Sequence, residues 1–158
     1  MNIKDIIIQT PDVHTDYRGD LWTLWKGAPG QQEFNHDKVS TSRKNVIRGI
    51  HGDFKSFKLV TCLYGELYFV IVDNRINSST YMQWDWVILS DKNHKQVLLP
   101  PGVGNGFCVL SNHSVFHYKW SYKGDYPDVK DQFTIKWNSL DLNINWPINN
   151  PILSKRDK

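Results

Sequence analysis

Three short stretches carry side chains able to move a proton or stabilise charge. VIRGIHGD (46–53) sets Arg48 and His51 in an apolar run closed by Gly52-Asp53. Imidazole exchanges protons near neutral pH, so His51 is a candidate general base, although a strand histidine is also an ordinary structural residue. On a regular strand His51 shares a face with Ile47 and Gly49, while Arg48 and Ile50 point the other way. Lys58 lies in FKLVTC (57–62), apolar enough that its ammonium must either snorkel to solvent or serve a polar pocket. In SVFHYKWSY (114–122), alternation places Phe116, Tyr118, Trp120 and Tyr122 on one face. That wall is either core packing or one side of a ligand cleft, and a tyrosine there differs from phenylalanine only if its hydroxyl is used.

A metal site is the other chemistry that histidines in a small β-barrel suggest. Metal-binding cupins use an HxH pair, a downstream Glu and a further His after PxGxxH. Here the first place reads HGD, and PPGVGNGF (100–107) has Asn105 where that histidine would stand. His14, His36, His94, His113 and His117 have no mutual ligand spacing, so no metal is expected. Cys62 and Cys108 sit in apolar tracts and read as small core residues.

These residues need elements to hold them, and the chain supplies short β-prone runs. They are DIIIQ, DLWTLW, KVSTS, VIRGIH, FKLVTCLYG, ELYFVIVD, YMQWDWVIL, QVLLP, GFCVL, SVFHYKWSY and FTIKW. KGAPGQQ, SRKN, INSS, SDKNHK, PPGVGN and KGDYPD separate them. No stretch keeps helical periodicity for ten residues, which predicts an all-β sandwich or barrel. Glu66 to Asp73 is apolar on both parities, as in a strand buried on both faces. At 158 residues with 40% hydrophobic side chains, one packed domain spanning 1–158 is expected. Nineteen basic and sixteen acidic residues are interspersed, which argues against a nucleic-acid footprint or a polybasic membrane anchor. Ile6-Ile7-Ile8 is too short for a signal peptide or membrane span, so a soluble, cytoplasmic protein is expected.

The succession DYRG (16–19), VIRGIH (46–51), KLVTCLYGELYFVIVD (58–73), LPPGVGNGF (99–107), the Tyr118 strand, INWP (144–147) and ILSKRD (152–157) resembles the dTDP-4-dehydrorhamnose 3,5-epimerase family. The resemblance covers almost the whole chain, in order. It implies a cupin-type jelly roll, a homodimer and a nucleoside-diphosphate 4-ketosugar as substrate, with neither metal nor nicotinamide. The ketone acidifies the protons at carbons 3 and 5; a base removes one to give an enolate, and an acid on the opposite face returns it inverted. By the motif, His51 matches the base, Asp157 its carboxylate partner, Tyr118 the acid and Lys58 the cation near the ketone. Without it, Asp157 would read as a frayed terminal residue.

Arg18 and Arg48 match arginines facing the diphosphate and sugar, a role that suits a bidentate guanidinium; Arg18, beside Gly19, otherwise reads as a turn arginine. His36, Lys38 and Ser40 fall on a QxNxS motif serving the nucleotide side. The pattern departs at His36 and Lys38, which replace Gln and Asn, and at Leu21 and Thr23, in place of Phe and Glu. Asn105 and Phe69 stand where the family commonly has a second histidine and an aspartate. dTDP, GDP and CDP sugars, and inversion at one carbon or two, all remain open. The expected function is a metal-independent epimerase of surface-polysaccharide sugar biosynthesis, related to capsule and lipopolysaccharide sugar enzymes; a ketoisomerase and a non-catalytic sugar-binding cupin are the alternatives.

Overall fold

The structure, a computed structural model, describes residues 2–27, 32–122 and 131–158. The turn read at KGDYPD (123–128) and most of KGAPGQQ (26–32) lie outside the described residues. Among those described there is no α-helix, and the strands are β1 (Ile7–Gln9), β2 (Val13–Asp16), β3 (Gly19–Trp22), β4 (His36–Arg43), β5 (Ile47–Gly52), β6 (Lys58–Tyr64), β7 (Glu66–Asp73), β8 (Trp84–Ser90), β9 (Gln96–Leu99), β10 (Val103–Val109), β11 (His113–Trp120) and β12 (Phe133–Thr134). They build two five-stranded antiparallel sheets, β1-β9-β6-β11-β4 and β12-β5-β10-β7-β8, and a separate β2-β3 hairpin.

The even and odd positions of β7 explain its unbroken apolarity. Leu67, Phe69 and Ile71 pack with Val60, Val97 and Phe116 between the two sheets. Tyr68, Val70 and Val72 face the other way and join Ile47, Ile50, Leu142 and Trp146 in a second core. The segment after β12 supplies the outer layer of that core, so the second sheet is buried on both sides. Cys62 and Cys108 are free and buried, and burial pushes their thiols up to about 12 and about 11.

Two features escape the sequence pattern. β2 (VHTD) is polar and largely exposed, and only its pairing with β3 makes it a strand. PPGVGN reads as a break, yet β10 starts at Val103 and runs straight through Asn105. Among the described residues no helix is long and apolar enough to cross a membrane.

Candidate active site

Register along the first sheet builds one wall of the site. Lys58 on β6, Trp120 on β11 and His36 on β4 form one row; Val60, Tyr118 and Lys38 form the next; Cys62, Phe116 and Ser40 the third. Side chains two apart share a face, so the aromatic series expected from alternation is continuous: Phe116–Tyr118 5.8 Å, Tyr118–Trp120 6.3 Å and Trp120–Tyr122 5.8 Å between ring centroids.

The facing wall comes from β5 and β10, and there the regular parity fails. Arg48 pairs with Phe107 and His51 with Asn105, so three steps on β5 answer two on β10, the signature of a bulge. The extra residue turns Arg48 and His51 to the same side, while Ile47 and Ile50 together enter the second core. The expectation that His51 shares a face with Ile47, opposite Arg48, is thereby corrected. Gly49 permits the arrangement. Its φ is +104°, and a Cβ there would sit 2.6 Å from the Asn105 carbonyl oxygen and 2.7 Å from Gly106 Cα.

The C-terminal segment closes the site. A parallel bridge between Val46 and Ile152, with Ile47 N–H donating to the Ile152 carbonyl at 3.1 Å, ties this segment to the start of β5. Asp157 then lies with Oδ1 2.8 Å from His51 Nε2, its side chain 3% exposed against 23% for His51. Ser154 Oγ donates to Asp157 Oδ2 at 2.8 Å. Burial acts to raise the Asp157 carboxyl, but the contacts from His51 and Ser154 and the charge of Arg156 outweigh it and hold it below the usual carboxylate range. Asp157 is thus no frayed terminal residue.

Between the walls lies a cavity of about 320 Å³. It gathers His51, Asp157, Tyr118, Lys58, Arg48, Ser40 and Asn105 from the sequence-derived candidates. Lys58 is almost wholly buried; burial lowers its ammonium to about 8, against the opposing pull of Asp53, whose Oδ2 is 3.8 Å away. Burial raises the Tyr118 phenol, partly offset by the charge of Arg48. Arg48 itself is anchored by Nε donating to Ser42 Oγ at 2.9 Å.

Other candidates stand outside this cavity. His36 and Lys38 continue the wall beside Trp120, with the Lys38 ammonium 5.4 Å from its ring. Arg18 sits in the β2-β3 turn, 75% exposed, paired with Asp16 at 2.6 Å. Phe69 is fully buried between the sheets and 5.9 Å from Phe116. Arg156 and Gln132, which no sequence pattern singled out, also line the cavity; Arg156 Nη1 donates to Gln132 Oε1 at 3.0 Å. The adjacency of Arg156 to Asp157 was the available signal. Among the described residues no group of three or more His, Cys, Asp or Glu side chains could hold a metal ion.

The profile of the family described as dTDP-4-dehydrorhamnose 3,5-epimerase matches residues 1–158. The chain belongs to the dTDP-4-dehydrorhamnose 3,5-epimerase family. It is 37% identical to the dTDP-4-dehydrorhamnose 3,5-epimerase of Shigella flexneri, over 98% of this chain and 89% of that protein. The dTDP-4-dehydrorhamnose 3,5-epimerase structure from Bacillus anthracis str. Ames, with TDP and PPi bound, superposes with a TM-score of 0.91 at 34% identity, covering 99% of this chain and 93% of that one. The dTDP-6-deoxy-D-glucose-3,5-epimerase of Legionella pneumophila Philadelphia 1, in complex with dTDP-4-keto-L-rhamnose, gives 0.90 at 34% identity over 99% and 87%. This epimerase-family chain is therefore a cupin-type jelly roll and an enzyme of the isomerase class.

Proposed function

We propose that this enzyme inverts carbon 3, carbon 5 or both in a nucleoside-diphosphate 4-keto-deoxysugar through an enolate. The observation that carries this reading is the His51–Asp157 pair in the same cavity as Tyr118 and Lys58. A carboxylate 2.8 Å from Nε2 favours the ring proton on that nitrogen and leaves Nδ1 as the basic one. His51 then takes a proton from the carbon beside the ketone, and its imidazolium is stabilised by Asp157. Lys58 offers its ammonium to the oxygen that gains charge as the enolate forms. Tyr118, on the facing sheet, returns a proton to the other side of the carbon. Arg48 supplies a guanidinium suited to the diphosphate, and Ser40 and Asn105 line the cavity as polar contacts. His36 and Lys38, further along the same wall, are assigned to the nucleotide side.

No step in this scheme draws on a metal or an organic cofactor. The protein acts as one domain, in the cytoplasm, in surface-polysaccharide sugar synthesis. The family resemblance implies a homodimer, and in it Arg18, which lies on a hairpin outside the cavity of its own chain, serves the diphosphate held by the second copy. A panel of dTDP, GDP and CDP 4-ketosugars, incubated in chelator-treated buffer and analysed by NMR, tests the reading. Inverted sugars with the carbonyl still at carbon 4 are expected; a carbonyl moved to the adjacent carbon would indicate ketoisomerisation, and unchanged sugars a binding module.

A further inference from the structure

Trp120 closes the β11 row in which its register partner on β6 is Lys58. The indole is 1% exposed and lines the cavity, and Lys58 Nζ lies 5.2 Å from its ring centroid. The carboxylate nearest to that ammonium, Asp53, is at 3.8 Å, beyond hydrogen-bond length. A buried ammonium so loosely paired must be placed by something else. An indole gives the strongest attraction to a cation of the aromatic side chains, and more when water is kept away. Tyr118 and Tyr122 flank the buried ring at 6.3 and 5.8 Å between centroids.

We propose that Trp120 is the positioning residue of Lys58, holding its ammonium over the indole face so that the charge is aimed at the ketone oxygen. The part that concerns the ketone rests on the epimerase reading above; the placement of Lys58 does not.

Two measurements test it, one independent of turnover. Lysine labelled at Cε or Nζ reports the titration of Lys58 by NMR, assigned by its loss in Lys58→Met. Trp120→Leu keeps an apolar side chain in the wall but removes the aromatic face that favours the charged form, so the midpoint should fall further below the ordinary lysine range. Trp120→Phe keeps a ring in the wall and carries both readouts should Trp120→Leu fail to fold; its midpoint should move the same way by less. On turnover, Trp120→Phe should lower kcat several-fold with KM little changed. The same substitution in a Lys58→Met background should change kcat by a factor near one, since the group it positions is gone. A Lys58 midpoint unmoved or raised in the Trp120 variants, or kcat losses that multiply independently, would overturn the proposal. A chain inactive on every ketosugar whose Lys58 midpoint nevertheless falls in these variants would overturn the epimerase reading and support the placement of Lys58 by Trp120.

Discussion

Each proton-handling residue in the cavity can be tested singly. Tyr118 is kept protonated by burial, and its ring is one link of the wall. Tyr118→Phe retains that ring but removes the donor, so the enolate can be reprotonated only from the histidine side. Solvent exchange with retention of configuration should then outpace inversion, as read by NMR of recovered substrate. Lys58 sets the alkaline behaviour. Its folded value of about 8 lies below that of a lysine in an unfolded chain, so the folded enzyme loses this proton first. kcat/KM should therefore fall as pH rises through about 8, while the same group makes stability rise over the interval up to the ordinary lysine value. In Lys58→Arg, which stays charged, that alkaline fall should disappear from the profile.

At the scale of elements, the site depends on a bulged strand and a docked tail more than on any loop. The exit from β7 shows how a turn is fixed. Asp73 is fully buried and accepts bonds from Arg75 Nε at 2.8 Å, Arg75 NH2 at 2.8 Å, Ser78 Oγ at 2.6 Å and Thr80 Oγ1 at 2.7 Å. Arg75 in turn reaches Asp5 and the Lys4 carbonyl, each at 2.8 Å. Burial opposes ionisation of Asp73, but these bonds hold its carboxyl well below the usual carboxylate range. Its stabilising contribution is thus present above the unfolded carboxylate range and lost as pH falls toward the folded value. Asp73→Asn leaves Arg75 with only the exposed Asp5 carboxylate and should cost about 3 kcal/mol in denaturant unfolding at neutral pH. That cost should shrink in acid.

Much of this layer was legible in the sequence, because apolar alternation and turn residues mark strands with a buried face. VHTD was not, since an exposed polar strand leaves no such alternation. The common orientation of Arg48 and His51 was hidden for a different reason: parity cannot register an inserted residue. Gly49, between them, was the one local sign that the strand departs from regular geometry. Arg156 and the burial of Asp157 depend on Ile152 docking beside Val46, a contact between distant segments that no local pattern carries.

For the whole molecule, the arrangement separates the reacting groups from Arg18, which stands on its own hairpin away from the cavity. If a second copy presents Arg18, two defective chains should complement each other. Arg18→Ala and His51→Asn chains, mixed and reassembled, should recover part of the parent rate that neither has alone; no recovery in a verified heterodimer would place Arg18 elsewhere.

If His51 in this cavity forms an enolate beside the ketone, solvent isotope reads the step directly. In deuterated water with the nucleoside-diphosphate 4-ketosugar that it turns over in the NMR panel, the intact enzyme should place deuterium at each inverted carbon. His51→Asn should lose both exchange and inversion by about 10²–10⁴-fold, the contribution of a general base. Deuterium entering as fast in His51→Asn as in the parent would exclude His51 as the base and return it to a structural role.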